Sequence, residues 1–115
     1  MPCIQVKTNV KTDEKSAEQI KKALGAAIGH LPGKSEDWLL VSIQDSCQMF
    51  FGGDGSRPIA MVEVMILGET IDKAGAGLMT GDITDVLGKT LGIAPADIYI
   101  RYAASPDWGW NGSNF

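Results

Sequence analysis

The chain has 115 residues, 44% of them hydrophobic and 21% charged, and a net charge of −4. This size and balance predict one small globular domain, 1–115, and the acidic sum gives no electrostatic footprint for nucleic acid or an anionic membrane. No apolar run approaches the roughly 18 residues that span a bilayer, so no membrane partner is expected.

The start lacks the basic and apolar regions of a signal peptide, so a cytoplasmic location is expected, and export would take a non-conventional route. Cys3 and Cys47 are far apart with no C-x-x-C spacing. Neither a zinc site nor a disulfide scaffold is implied, and the expectation is reduced thiols with no metal and no cofactor.

In chain order, residues 3–8 read as a strand with Ile4 and Val6 on one face and Cys3, Gln5 and Lys7 on the other. From Asp13 the pattern turns helical, with Ile20, Ala23, Leu24, Ala27, Ile28 and Leu31 at spacings of three and four behind Thr12 as the expected N-cap. Pro32-Gly33 stops that helix, and residues 38–44 (WLLVSIQ) read as a strand apolar on both faces. A short extended piece, QMFFGG, and a polar loop follow. Residues 59–67 (IAMVEVMIL) then form an almost continuous apolar strand.

A second helix is predicted over 72–91, where Met79, Ile83, Val86, Leu87 and Thr90 keep the period and Gly92 suits the C-terminal cap. Glycines 75, 77, 81 and 88 each weaken it by about 1 kcal/mol relative to alanine. Pro95 introduces a last strand over 97–102, with Ile98, Ile100 and Tyr102 on one face and Tyr99 and Arg101 on the other.

Strand, helix, strand therefore occurs twice, over about 1–53 and 58–110. The predicted fold is a two-layer α+β domain, a four-stranded mixed sheet with both helices on one face. Two helices leave the other sheet face bare, and copies of the same chain are the simplest cover, so a closed homo-oligomer is expected.

Among candidate chemical groups, Pro2 is notable because removal of Met1 turns it into a terminal secondary amine at the head of an apolar strand. Burial or a nearby cation lowers an amine pKa, which makes such a group a base at neutral pH. Lys34, just after the helix stop, is a candidate cation for that role. His30 reads as a helix-end residue, and Asp82 and Asp85 as solvated. The run GAGLMTG (75–81) fails as a dinucleotide-binding loop, its third glycine falling one residue late. In the tail, Trp108, Trp110 and Phe115 carry too much apolar area for a loose end, and are expected to pack as a latch or a pocket wall.

Together these stretches resemble the macrophage migration inhibitory factor and D-dopachrome tautomerase family. The likeness runs from Met1-Pro2 and Thr8-Asn9-Val10 through Gly33-Lys34, Met49-Phe50-Phe51-Gly52-Gly53 and Ile66-Leu67-Gly68. Ile98-Tyr99-Ile100 and Gly109-Trp110-Asn111-Gly112-Ser113-Asn114-Phe115 complete it.

The resemblance implies a homotrimer with a site at each subunit interface, acting as a cofactor-independent tautomerase on small aromatic keto or enol acids such as phenylpyruvate or dopachrome. Pro2 would be the catalytic base, and Lys34 would hold the substrate carboxylate with help from the backbone around Ile66. Trp38 would stand beside that lysine, Trp108 and Trp110 would wall the pocket, and Phe115 would pack at its edge. Tyr99 and Arg101 would come from a neighbouring subunit. Arg101 replaces the family's neutral asparagine, and a second cation there either favours an acidic substrate or narrows the pocket. The alternative is a secreted, cytokine-like module that binds a cell-surface receptor, its pocket vestigial. The family's C-x-x-C pair is replaced by Ile59 and Val62, and its early-loop arginine by Thr12, so neither thiol redox activity nor receptor binding gains support from these residues.

Overall fold

In the computed structural model, which describes residues Met1–Phe115, the first strand, β1 (Pro2–Thr8), runs through the interior of the sheet. Alternation decides its faces: Pro2, Ile4, Val6 and Thr8 are buried, and Cys3, Gln5 and Lys7 lie opposite. Thr8 is polar yet fully buried. Its hydroxyl donates to Ile59 O at 2.7 Å and accepts from Val10 N at 3.1 Å, so no polar group there is orphaned.

The first helix, α1 (Glu14–Ala27), is capped by Asp13 and not by the expected Thr12. The Asp13 carboxylate accepts from Ser16 N at 2.7 Å, where the helix dipole favours a negative charge. Thr12 is turned elsewhere, donating its backbone N–H and its hydroxyl to Asp45 at 2.8 and 3.1 Å. The helical run expected through Leu31 leaves the α form at Ala27 and tightens into a 3-10 turn, Ile28–His30. Pro32 has no N–H for Ile28 O, and Leu31 N takes that acceptor at 3.1 Å. The predicted apolar face survives, with Ile20, Leu24, Ile28 and Leu31 all buried.

The strand expected over 38–44 loses its first two residues. Glu36–Trp38 form another 3-10 turn, closed by Leu39 N donating to Glu36 O at 3.0 Å, and β2 is Leu40–Gln44. Trp38 therefore sits on a turn ahead of the strand. β3 (Ala60–Leu67) alternates buried and half-buried positions. α2 (Lys73–Leu91) is capped by Asp72, which accepts from Gly75 N, and ends at Gly92 in the left-handed region at φ 67°. The GAGLMTG run thus lies within or at the start of a helix, with no phosphate-binding loop. Gly75 has a packing reason, since a Cβ there would run into the carbonyl oxygen of His30. β4 (Ile98–Ser105) extends three residues past its expected end because β3 offers it a parallel partner at each position, from Ala60 beside Ile98 to Leu67 beside Ser105.

The sheet order is β2-β1-β3-β4. β1 is parallel to β2 and β3 to β4, while β1 and β3 meet antiparallel, so two β-α-β units join along the middle. Both helices lie on one face, where Ile20, Leu24, Met79, Ile83 and Leu87 close over Ile4, Val6, Val62 and Val64. His30 Nε2 lies 2.8 Å from Asp82 Oδ2, tying the end of α1 to α2, so Asp82 has a partner and is not simply solvated. No helix covers the opposite face, where Tyr99 and Leu40 are each 62% exposed. A terminal hairpin, β5 (Gly109–Trp110) and β6 (Ser113–Asn114), follows β4.

Candidate active site

The topology puts four chain segments at one end of the sheet. β1 and β2 begin there, and β3 and β4 end there, since Cys3 pairs with Leu40, Pro2 with Ile66, and Ile66 with Ala104. Pro2 is buried at this end. Beside it, Leu67 N donates to Met1 O at 3.0 Å. Lys34, presented by the turn in which Gly33 adopts φ 75°, donates from Nζ to Leu67 O at 2.7 Å. An ammonium has three protons to donate, so two remain for a ligand. Burial, and after it the positive charge of Lys34, lowers the pKa of the Met1 α-amino group.

The aromatic groups come from two directions. Trp108 lines a cavity of about 330 Å³ with Met65, Ile66, Ala103 and Ser105, and its Nε1 is buried without a hydrogen-bond partner. Trp110 lies beyond β4, at one edge of the sheet, and Trp38 ahead of β2, at the other. Their rings nevertheless meet edge to face, 5.5 Å between centroids at 84°. Three strand spacings amount to roughly 14 Å, so the terminal hairpin crosses back over the end of the sheet to make that contact. Phe115 N donates to Trp108 O at 3.0 Å and closes the hairpin, leaving the Phe115 ring 64% exposed.

Pro2, Lys34, Ile66, Trp38, Trp108 and Trp110 therefore gather at one end of one chain. Tyr99 and Arg101 do not. Tyr99 pairs in register with Met61, five residues along β3 from Ile66, which is about 17 Å of strand. Its ring instead packs on Phe51, 5.0 Å away at 60°, over an apolar cavity of about 240 Å³ that includes Met49, Phe50 and Met61. Arg101 lies on the uncovered face with its Nη1 3.4 Å from Glu63 Oε2.

Leu67 is a contributor that the residue pattern does not single out. Both its backbone groups meet the site, one through Met1 and the other through Lys34, because strand register aligns β3's last residues with the start of β1. A backbone N–H carries no side-chain signature, so only pairing reveals it. Next to Lys34, a second cavity of about 400 Å³ opens between the turn at Pro32 and the segment from Ile66 to Lys73. No group of three or more His, Cys, Asp or Glu is placed to hold a metal, and no helix is long and apolar enough to cross a membrane.

The sequence matches the model of the macrophage migration inhibitory factor (MIF) family over residues 1–115. Among solved structures it is similar to MIF2 of Leishmania major, with 30% identity and a TM-score of 0.90 over 100% of this chain and 97% of that one. It is also similar to the MIF homologue of Prochlorococcus marinus, with 25% identity and a TM-score of 0.79 over 98% of each chain. The MIF of Trichinella spiralis shares the fold at 24% identity and a TM-score of 0.81, over 98% of this chain and 99% of that one. No curated protein sequence gives a significant match. With the family model matched from end to end and the same fold shared with a protein of 30% identity, the chain belongs to the macrophage migration inhibitory factor family, within the tautomerase superfamily.

Proposed function

We propose that this protein is a cofactor-independent keto-enol tautomerase that acts on phenylpyruvate-like or dopachrome-like acids, with Pro2 as its base once Met1 is removed. The observation that carries this reading is the environment at the head of β1, where burial and then the Lys34 charge lower the pKa of the Met1 α-amino group. Removal of Met1 makes the Pro2 nitrogen, one residue along, the terminal amine, and burial beside a lysine acts on an amine in the direction that makes it a base. The Pro2 nitrogen takes the enol O–H proton, leaving the O–H electron pair on oxygen as an enolate. It then returns the proton to the adjacent carbon, whose new C–H bond uses the C=C pair as an oxygen pair closes to C=O. Lys34 holds the carboxylate, the Leu67 N–H freed by loss of Met1 supplies a second donor, and the apolar wall of Ile66, Trp108, Trp110 and Trp38 excludes water, with Phe115 at its edge.

The assembly we propose is a homotrimer in which the uncovered sheet faces meet. The large exposure of Tyr99 and Leu40 supports such burial, and Tyr99 and Arg101 then reach the pocket of a neighbouring subunit. The receptor-binding alternative gains no surface from Thr12, whose N–H and hydroxyl are both committed to Asp45.

The test is phenylpyruvate tautomerisation by protein whose mass lacks one methionine, set against Pro2→Gly. Turnover lost in the variant, with the sedimentation coefficient unchanged, is the expected result. Full activity in Pro2→Gly refutes the proline base.

A further inference from the structure

The turn that presents Lys34 has little of its own to hold it. Pro32 and Gly33 are exposed, and its internal bond runs from Lys34 N to Leu31 O at 3.1 Å. Gly33, in the left-handed region at φ 75°, and Gly29 make the local backbone permissive. The turn nevertheless delivers Lys34 Nζ to Leu67 O at 2.7 Å. What fixes it is His30, just ahead of the turn, which meets α2 at two points. Its carbonyl oxygen fills the space where a Gly75 Cβ would stand, and its imidazole Nε2 lies 2.8 Å from Asp82 Oδ2. A carboxylate only accepts, so Nε2 carries the proton and donates it. Gly75 and Asp82 are two turns of α2 apart, roughly 10 Å, so the pair of contacts sets both the position and the direction of the chain leaving α1.

Residues 68–72 join Leu67 to the start of α2. His30 therefore closes a ring that runs from Leu67 through α2 to His30, then along the turn to Lys34 and back to Leu67. We propose that His30, held by Asp82, is a positioning residue for Lys34, keeping the ammonium at the Leu67 carbonyl where the substrate carboxylate meets it. This goes beyond the tautomerase reading above and rests on it. Opening the His30–Asp82 bond leaves the chemistry at Pro2 untouched and lowers the fraction of molecules with Lys34 in place, so it acts on KM and not on kcat. An anchor transmits no more than its own strength, and one hydrogen bond between partly exposed groups sets the rise in KM at about two- to ten-fold.

The experiment measures phenylpyruvate tautomerisation by the processed protein, with amide hydrogen exchange on the same variants. Asp82→Ala is expected to raise KM about two- to ten-fold at unchanged kcat. It also speeds exchange at the Lys34 N–H, while the Asp54 N–H, bonded to Phe51 O in a separate turn, keeps its rate. Asp82→Asn still accepts from the imidazole and restores both values. Asp85→Ala, which removes the same charge one turn along α2, alters neither. In a Lys34→Gln background Asp82→Ala changes KM no further, a result that a merely structural role does not produce. A parent-like KM or a parent-like Lys34 exchange rate in Asp82→Ala overturns the proposal, and so does a KM increase that persists undiminished in the Lys34→Gln background. If the processed parent turns over no phenylpyruvate, the tautomerase reading fails and the anchor is judged by exchange alone. Faster exchange at Lys34 in Asp82→Ala then supports it, and an unchanged rate overturns it.

Discussion

Lys34→Gln separates the two tasks assigned to this lysine, holding a carboxylate and lowering the pKa of an amine. The head group is prepositioned by its 2.7 Å bond to Leu67 O, so substrate binding costs little side-chain ordering. A hydrogen bond between an ammonium and a carboxylate contributes about 1.5 to 3 kcal/mol, so kcat/KM for phenylpyruvate should fall by about 10- to 150-fold, mostly through KM. The pH dependence has a definite sign. The Lys34 charge lowers the pKa of the Met1 amine, and a cation acts in the same direction on the Pro2 amine that replaces it; the base works when neutral, so the acid limb of the pH-rate profile follows the Pro2 pKa. Removing the cation raises it, and the limb moves to higher pH. The displacement should be partial, because burial, the larger cause at Met1, survives the substitution. Lys34→Arg keeps the charge and should leave the limb in place while still raising KM. Absorbance assays of enol loss across pH, on protein of verified mass, measure both effects. An unchanged KM together with an unmoved limb would refute both assignments.

Two further predictions concern the scaffold that holds the site. Thr8→Val leaves Ile59 C=O and Val10 N–H without their partner in a fully buried position, and should lower stability by about 2 to 4 kcal/mol, whereas Thr8→Ser should lose only about 1 kcal/mol for the methyl group. Urea midpoints at constant m-value give the comparison, and a Thr8→Val protein as stable as the parent would contradict it. Gly75→Ala should destabilise by about 1 to 2 kcal/mol despite alanine's better helix propensity, because its Cβ meets the His30 carbonyl, while Gly81→Ala faces open space and should stabilise by up to about 1 kcal/mol. Equal melting temperatures for the two variants would show that the close approach is harmless.

The periodicities of this chain specify its four long strands and two helices with their faces, and not the terminal hairpin or the 3-10 turns. Alternation at Ile4 and Val6 and the three-four spacing from Ile20 to Leu31 mark the surfaces that close on each other in the core. Ends were less legible. Thr12 and Asp13 are both good caps by residue type, and the choice between them depends on Asp45, 33 residues from Thr12, which claims the threonine. Likewise, β4 runs to Ser105 because β3 is there to pair with it, a preference that residues 103–105 do not carry locally.

The site divides in the same way. Pro2, Lys34 and the aromatic tail could be singled out from residue chemistry and a family resemblance, since amines, ammonium groups and indoles announce what they do. Their meeting is a product of tertiary structure. Register places Ile66 against Pro2, which puts Leu67's backbone between Met1 and Lys34, and the hairpin carries Trp110 across the sheet to Trp38. The cavity joining Lys34 to Lys73 arises in the same way, from two residues 39 positions apart that no local pattern relates. Local sequence sets which face of an element is apolar because side-chain direction repeats with the backbone. Which elements then become neighbours is decided by burial and pairing across the whole chain, and it is those neighbours that make a site.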